Sequence, residues 1–322
     1  MVGLKKWLKR FCIGLVFLTF VGIGFQQWGE WRDKRAFPMP GKLVDVGGRR
    51  LHMWCIGQGS PTVLMLSGGG TPSVSSYDLQ TRLSKTSRVC NYDRAGLGWS
   101  DPPTSPMGMA EINTDLETLL THVGENGPFI LVPESFGGMV ALNMATRTPS
   151  QVAGIVAVDP TEPDLWYRVS GPTRASFRRS DVLWQVGWRV GVIRLLFPSQ
   201  APEWVDTMPS ELRGQFTAIW SRPMASFTNE WIDVYEQTPP HELPVATPGL
   251  LGDKPLIVIS HGRIDEWFGK EFEQGWPQAQ RIWTKLSTRS EHMIASKNGH
   301  PIAQENPLLV ADAVVKMAAG LR

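Results

Sequence analysis

From Pro40 onward the chain alternates short β-rich runs with stretches whose apolar residues recur at helical spacing. That alternation restricts the fold to an α/β architecture, a mostly parallel sheet covered by helices. The candidate strands are Leu43 to Val46, Arg50 to Ile56, Thr62 to Leu66, Arg88 to Tyr92, Phe129 to Val132, Gly154 to Val158, Leu256 to Ile259 and His292 to Ala295. Gly47-Gly48 splits the first two into a hairpin. Ile112, Leu116, Leu119 and Leu120 line one face of a helix, and Val310, Val314 and Met317 do so near the C-terminus.

The alternation stops after Asp159 and resumes near Lys254. A gap of roughly ninety residues is too long for a simple loop, and its tryptophan- and proline-rich sequence contains no convincing strand. Residues 161–253 are therefore read as a helical cap inserted in a core made of 36–160 and 254–322. Val182 to Phe197 is its most apolar part, with Trp184, Trp188, Val190, Val192, Leu195 and Leu196 broken by Arg189 and Arg194. The simplest expectation is a helix packing that face on the core. The alternative is a lid that lines an apolar pocket or touches a bilayer.

Residues 1–35 differ in kind from the rest. Lys5, Lys6, Lys9 and Arg10 precede an uncharged run from Phe11 to Phe25 that continues to Trp28. The run is short against the ~20 residues that span a hydrocarbon core, but Trp7 and Trp28 stand where interfacial aromatics anchor a helix, and the lysines can snorkel. No small-x-small cleavage site follows it, which favours an uncleaved single-pass anchor over a signal peptide. The basic flank belongs on the cytoplasmic side, so the main domain is expected outside the cytoplasm.

The charge balance narrows the partners. A net charge of +2 and no basic stripe beyond the first residues argue against nucleic acid. Cys12, Cys55 and Cys90 match no metal-ligand spacing, so neither a metal nor another cofactor is expected.

The chemistry centres on Pro133-Glu134-Ser135-Phe136-Gly137-Gly138, between the strand Phe129 to Val132 and the helical run Met139 to Ala145. A serine on so sharp a strand-to-helix turn is pushed above the sheet edge, next to a helix N-terminus that favours developing negative charge. Ser67-Gly68-Gly69-Gly70 ends the strand Thr62 to Leu66, and backbone N–H groups there can face the site without side-chain obstruction. Gly69, with Gly70 as a second choice, and Phe136 are the expected oxyanion-hole donors. His300, in Asn298-Gly299-His300-Pro301 after the last strand, is the best placed of the six histidines to act as general base. His292 reads as a packed or hydrogen-bonded core residue, and His52, His122 and His241 have no evident partners. For the acid, Asp265 on the loop after Leu256 to Ile259 is the first choice, and Asp159, ending Gly154 to Val158, is the alternative.

Taken together these residues resemble the α/β-hydrolase superfamily from Pro40 to Gly320. Tyr92-Asp93-Arg94-Ala95-Gly96-Leu97-Gly98-Trp99-Ser100-Asp101 is similar to the superfamily's structural segment after the fourth strand, and Gly41 to Gly57 resembles the initial hairpin of bacterial membrane-anchored members. The resemblance implies an eight-stranded, mostly parallel sheet with the cap after the sixth strand and a Ser-His-Asp triad of Ser135, His300 and Asp265. It also implies that the second and fourth strands are neighbours, so Cys55 and Cys90 can approach and either form a disulfide or pack as small hydrophobes. The expected activity is hydrolysis of an ester or amide of a small, hydrophobic substrate through an acyl-enzyme. Two departures stand out: Pro133 replaces the first glycine of G-x-S-x-G, and Glu134 fills a slot often held by histidine, where it is either electrostatic in role or solvated. They keep open a second reading, a membrane-tethered binding protein with weak or no turnover.

Overall fold

The computed structural model describes residues 2–225, 227–264 and 269–321, which divide into two compact units: 40–177 with 225–322, and 1–39 with 178–224. The segment 161–253 is thus shared between them.

The larger unit is built on one eight-stranded sheet. Its strands are β1 (Lys42–Asp45), β2 (Arg50–Ile56), β3 (Thr62–Leu66), β4 (Val89–Tyr92), β5 (Phe129–Pro133), β6 (Val152–Val158), β7 (Leu256–His261) and β8 (Ser290–Ala295). They lie in the order β1-β2-β4-β3-β5-β6-β7-β8. β1 and β2 form the expected hairpin, β2 runs antiparallel to β4, and every other pairing is parallel. Alternate residues of the central strands feed separate cores on the two faces. Leu64, Leu66, Leu131, Ile155 and Val258 fill one, and Val63, Met65, Ile130, Val156 and Ile257 fill the other. Burial on both faces explains why these strands read as continuous apolar runs.

Pro133 closes β5 opposite Leu66, whereas the ladder to β6 ends earlier, with Leu131 opposite Ile155. A missing N–H is tolerated at such a strand end. Cys55 and Cys90 stand directly opposite each other in β2 and β4, with Cα atoms 4.1 Å apart, and are joined by a disulfide.

In the smaller unit the N-terminal helix Val2–Ala36 carries the basic and apolar segments. Its apolar side chains from Leu8 to Val21 are exposed, and it is long and apolar enough to cross a membrane. Beyond them the same helix packs on Val192–Gln200. Gln26 Nε2 donates to the Ser221 carbonyl at 2.9 Å, and Arg194 Nη1 donates to Asp33 Oδ2 at 2.5 Å. The region 182–197 departs from the simplest expectation. Val182, Leu183, Val186, Val192, Leu195 and Leu196 point outward, while Arg194 is buried.

Candidate active site

Three strand ends build the site. β5 runs straight into the helix Gly137–Arg147, and Ser135 at the turn has φ 49°, a left-handed value that non-glycine residues adopt only where the surroundings enforce it. The constraints are hydrogen bonds on both sides. Glu134 N–H donates to Leu66 O (2.9 Å), Ser135 N–H to Val158 O (3.1 Å) and Thr161 N–H to Ser135 O (3.0 Å). A Cβ on Gly137 would collide with the Leu66 carbonyl, so the turn can be this tight only with glycine there. Asp159, one residue past β6, is the only other non-glycine residue at positive φ among the described residues (45°). It is fully buried.

Asp159 Oδ2 accepts from His300 Nδ1 at 2.6 Å, which directs the Nε2 edge of the His300 ring away from the carboxylate. Between the two acids weighed from sequence, Asp159 holds the bond to His300, and Asp265 lies outside the described residues. The His300 loop also meets the elbow. Gln304, on the short helix after His300, donates to Glu134 Oε2 at 3.0 Å, and Glu134 immediately precedes Ser135. Glu134 is therefore buried, not solvated. Burial pushes its carboxyl above the ordinary value, against the hydrogen bond from Gln304.

Asp159 has a second imidazole. His261, the last residue of β7, donates its Nδ1 proton to the same Oδ2 at 2.6 Å and its backbone N–H to Oδ1 at 3.1 Å, while its Nε2 lies 3.2 Å from Glu273. Burial works against a charge on His261, but Asp159 and then Glu273 outweigh it and raise the ring to about 9. In Asp159 burial likewise favours the neutral acid, yet the bonds from His261 and His300 hold the carboxyl below its ordinary value. The donor atoms of Asp159, His261 and His300 lie within 4.8 Å of one another, but both Nδ1 atoms are already satisfied by the carboxylate, so the cluster needs no ion.

The glycine loop is held from behind. Arg94 Nη1 donates to Ser67 O (2.7 Å) and Nη2 to Gly68 O (2.6 Å), while its guanidinium pairs with Glu230 (Nε to Oε1, 2.6 Å). The two charged side chains are 4% and 8% exposed. Glu230 Oε2 takes the Gly70 N–H at 2.5 Å, so that group is committed and Gly70 is not available as an oxyanion donor. In a trans peptide the N–H points opposite to the C=O. Anchoring the Gly68 carbonyl on Arg94 therefore turns the Gly69 N–H away from the guanidinium. Neither Gly69 nor Phe136 spends its N–H on another group among the described residues. Gly68 also lies against Ser135, whose Cβ is 3.5 Å from where a Gly68 Cβ would be.

Sequence reasoning missed His261, Glu230 and the anchoring role of Arg94. His261 was legible as a titratable residue at the end of the strand beside Asp159. Glu230 carried no signal, since it is 160 positions from the Gly70 N–H it accepts. His52 has a partner after all: Nδ1 to Asp93 Oδ2 at 2.8 Å, both fully buried beneath the turn Asp93 to Ser100. His292 is exposed on β8 and bonded to Ser260.

Strand order and elbow define the class of protein, and comparison with known proteins agrees. Residues 61–194 match the family model described as alpha/beta hydrolase fold. An enol-lactonase from Burkholderia xenovorans LB400 superposes with TM-score 0.63 at 16% identity, covering 86% of this chain and 100% of that one. In sequence, protein C23C11.06c of Schizosaccharomyces pombe is 28% identical over 306 residues, 83% of this chain and 53% of its own length. 2-Hydroxymuconate semialdehyde hydrolase of Pseudomonas sp. is 29% identical over 123 residues, covering 37% and 43% respectively. The chain spans about half the length of the curated relatives it matches. The chain has the α/β-hydrolase fold.

Proposed function

We propose that the protein is a serine hydrolase that cleaves an ester or amide of a small hydrophobic compound through an acyl-enzyme. The reading rests on one observation above others: the buried Asp159 carboxylate bonded to His300 Nδ1, next to a serine held at a left-handed elbow. Ser135 Oγ attacks the substrate carbonyl as His300 Nε2 takes its proton, and the same imidazolium returns the proton to the departing alcohol or amine. Asp159 holds the ring in the tautomer this requires. The N–H groups of Gly69 and Phe136 receive the negative oxygen, where each donor is worth about 3 kcal/mol of transition-state stabilisation. Water then attacks the acyl-Ser135 with His300 again as base. The likeness to a hydrolase and an enol-lactonase supports hydrolysis as the class of reaction.

The N-terminal helix is read as a membrane anchor with the hydrolase domain outside the cytoplasm, supported by the basic residues Lys5 to Arg10 before the apolar run and by the Cys55–Cys90 disulfide. A fluorophosphonate probe tests the chemistry. It should label the full chain at Ser135 and fail on Ser135→Ala, with His300→Gln and Asp159→Asn labelling at least a hundredfold more slowly. An unlabelled parent protein would remove the enzymatic reading and leave the tethered binding protein.

A further inference from the structure

We infer that the hairpin of helices Gly171–Arg189 and Val192–Gln200 is itself a membrane-inserted element, its outward apolar stripe lying in the same leaflet that the N-terminal helix enters. The inference rests on that helix being in a bilayer and is independent of the hydrolytic chemistry.

The first observation is that the hairpin is inside out. On Val192–Gln200 the residues at helical spacing on the exposed side are Val192, Leu195 and Leu196, while the side turned inward presents Gly191, Arg194 and Phe197. Leu195 is 69% exposed and Arg194 only 8%. The C-terminal part of Gly171–Arg189 repeats the pattern, with Val182, Leu183 and Val186 outward and Trp188 buried against the Trp220 carbonyl. A helix beside water places its apolar stripe inward. Six large apolar side chains outward within fifteen residues form a contiguous patch that needs a covering partner.

The second observation fixes what that partner is. The turn between the two helices touches the N-terminal helix at the level of its apolar run: a Cβ on Gly22 would overlap the Val190 carbonyl, and one on Gly191 would meet Phe25 at 2.9 Å. Gly22 precedes the interfacial Trp28 by six residues, which at 1.5 Å per residue places the turn about 9 Å to the hydrocarbon side of that ring. This matches the ~5–10 Å to which amphipathic helices sink their apolar faces. The buried arginine of the hairpin, Arg194, is neutralised by Asp33 and hydrogen-bonded to Gln26 of the same N-terminal helix, and Arg189, exposed beside the turn and bonded to Gln185, has a side chain long enough to reach the headgroups. The exposed apolar surface of the hairpin therefore continues that of the anchor.

Single nitroxide labels test this on the full chain, with exposed Cys12 replaced by serine, reconstituted in phosphatidylcholine/phosphatidylglycerol vesicles. Power saturation compares accessibility to oxygen with that to a water-soluble nickel chelate. Labels at Val186, Val192 and Leu195 should favour oxygen at least tenfold over a label at Asp206, whose side chain is 86% exposed. A label at Phe17 reports on the anchor. Should Phe17 favour oxygen while Val186, Val192 and Leu195 resemble Asp206, the hairpin is in water, and the inference is overturned with the anchor intact. Should Phe17 also resemble Asp206, both fall. Dipolar broadening at Val192 and Leu195 would assign the face to a second copy and overturn the inference too. The fluorophosphonate test on Ser135 is unaffected by any of these outcomes.

Discussion

Replacing Arg94 with methionine separates what the buried ion pair does for stability from what it does for the site. The guanidinium makes four bonds, two to the Ser67 and Gly68 carbonyls and two to Glu230. Its removal leaves Glu230, 8% exposed, with the Gly70 N–H as its remaining hydrogen bond among the described residues. An uncompensated buried charge of this kind costs about 3–5 kcal/mol. The second consequence is local. Freed of its anchor, the peptide joining Gly68 and Gly69 can rotate, and under the proposed mechanism loss of the Gly69 oxyanion donor slows acylation about 10²- to 10³-fold. Adding Glu230→Met restores an apolar pair of similar volume and should return the protein to within about 1–2 kcal/mol of the parent. The acylation rate should stay low, because neither methionine can hold the carbonyls. Urea unfolding in detergent gives the first quantity, and the second-order rate of fluorophosphonate labelling at Ser135 gives the other. If Arg94→Met, still folded, labels within threefold of the parent rate, the guanidinium does not set the direction of the Gly69 N–H and the argument fails.

The remaining predictions use the same protein. His261 is raised to about 9 in the folded state from an ordinary value near 6.5, so its contribution is fully present below about pH 6.5 and is lost as pH rises through 9. That shift is worth at most ~3.4 kcal/mol, and about 2 after discounting for solvent screening near the strand end; unfolding of His261→Gln and parent should therefore differ by this amount at pH 6 and converge by pH 10. Gly137→Ala drives a methyl into the Leu66 carbonyl, so a fall in melting temperature of at least 5 °C with loss of Ser135 labelling is expected, and an unchanged melt would contradict the elbow geometry. Nonreducing peptide mapping should find Cys55 linked to Cys90, and Cys55→Ala with Cys90→Ala should destabilise by about 3–4 kcal/mol for a loop of this length.

What the sequence disclosed follows from the range of the interactions involved. β2 and β3 begin and end where their apolar patterns do, because burial of both faces is written into consecutive residues. The elbow was legible for the same reason: the turn, the serine and its glycines are local. The partner of His300 was not, since Asp159 and Asp265 follow the adjacent parallel strands β6 and β7 in sequence, and chain order does not tell which carboxylate meets the imidazole. The outward direction of Val182, Leu183, Val186, Val192, Leu195 and Leu196 was not legible for a different reason. Helical periodicity locates an apolar stripe but does not say whether protein or lipid covers it, and Arg194, which read as an interruption, is the residue that faces inward onto Asp33. Arg94 stood in a segment recognised as structural, yet its carbonyl partners and Glu230 are joined only by the folded chain.

The Asp33–Arg194 and Gln26–Ser221 contacts make the leading helix something other than a replaceable leash. Trimming residues 1–35 to obtain a water-soluble sample would strip an arginine of its counter-ion and uncover the Ser221 carbonyl. Substituting an unrelated apolar helix would do the same unless it kept glutamine and aspartate seven positions apart. Preparations intended to measure turnover therefore call for the intact polypeptide in a detergent or nanodisc.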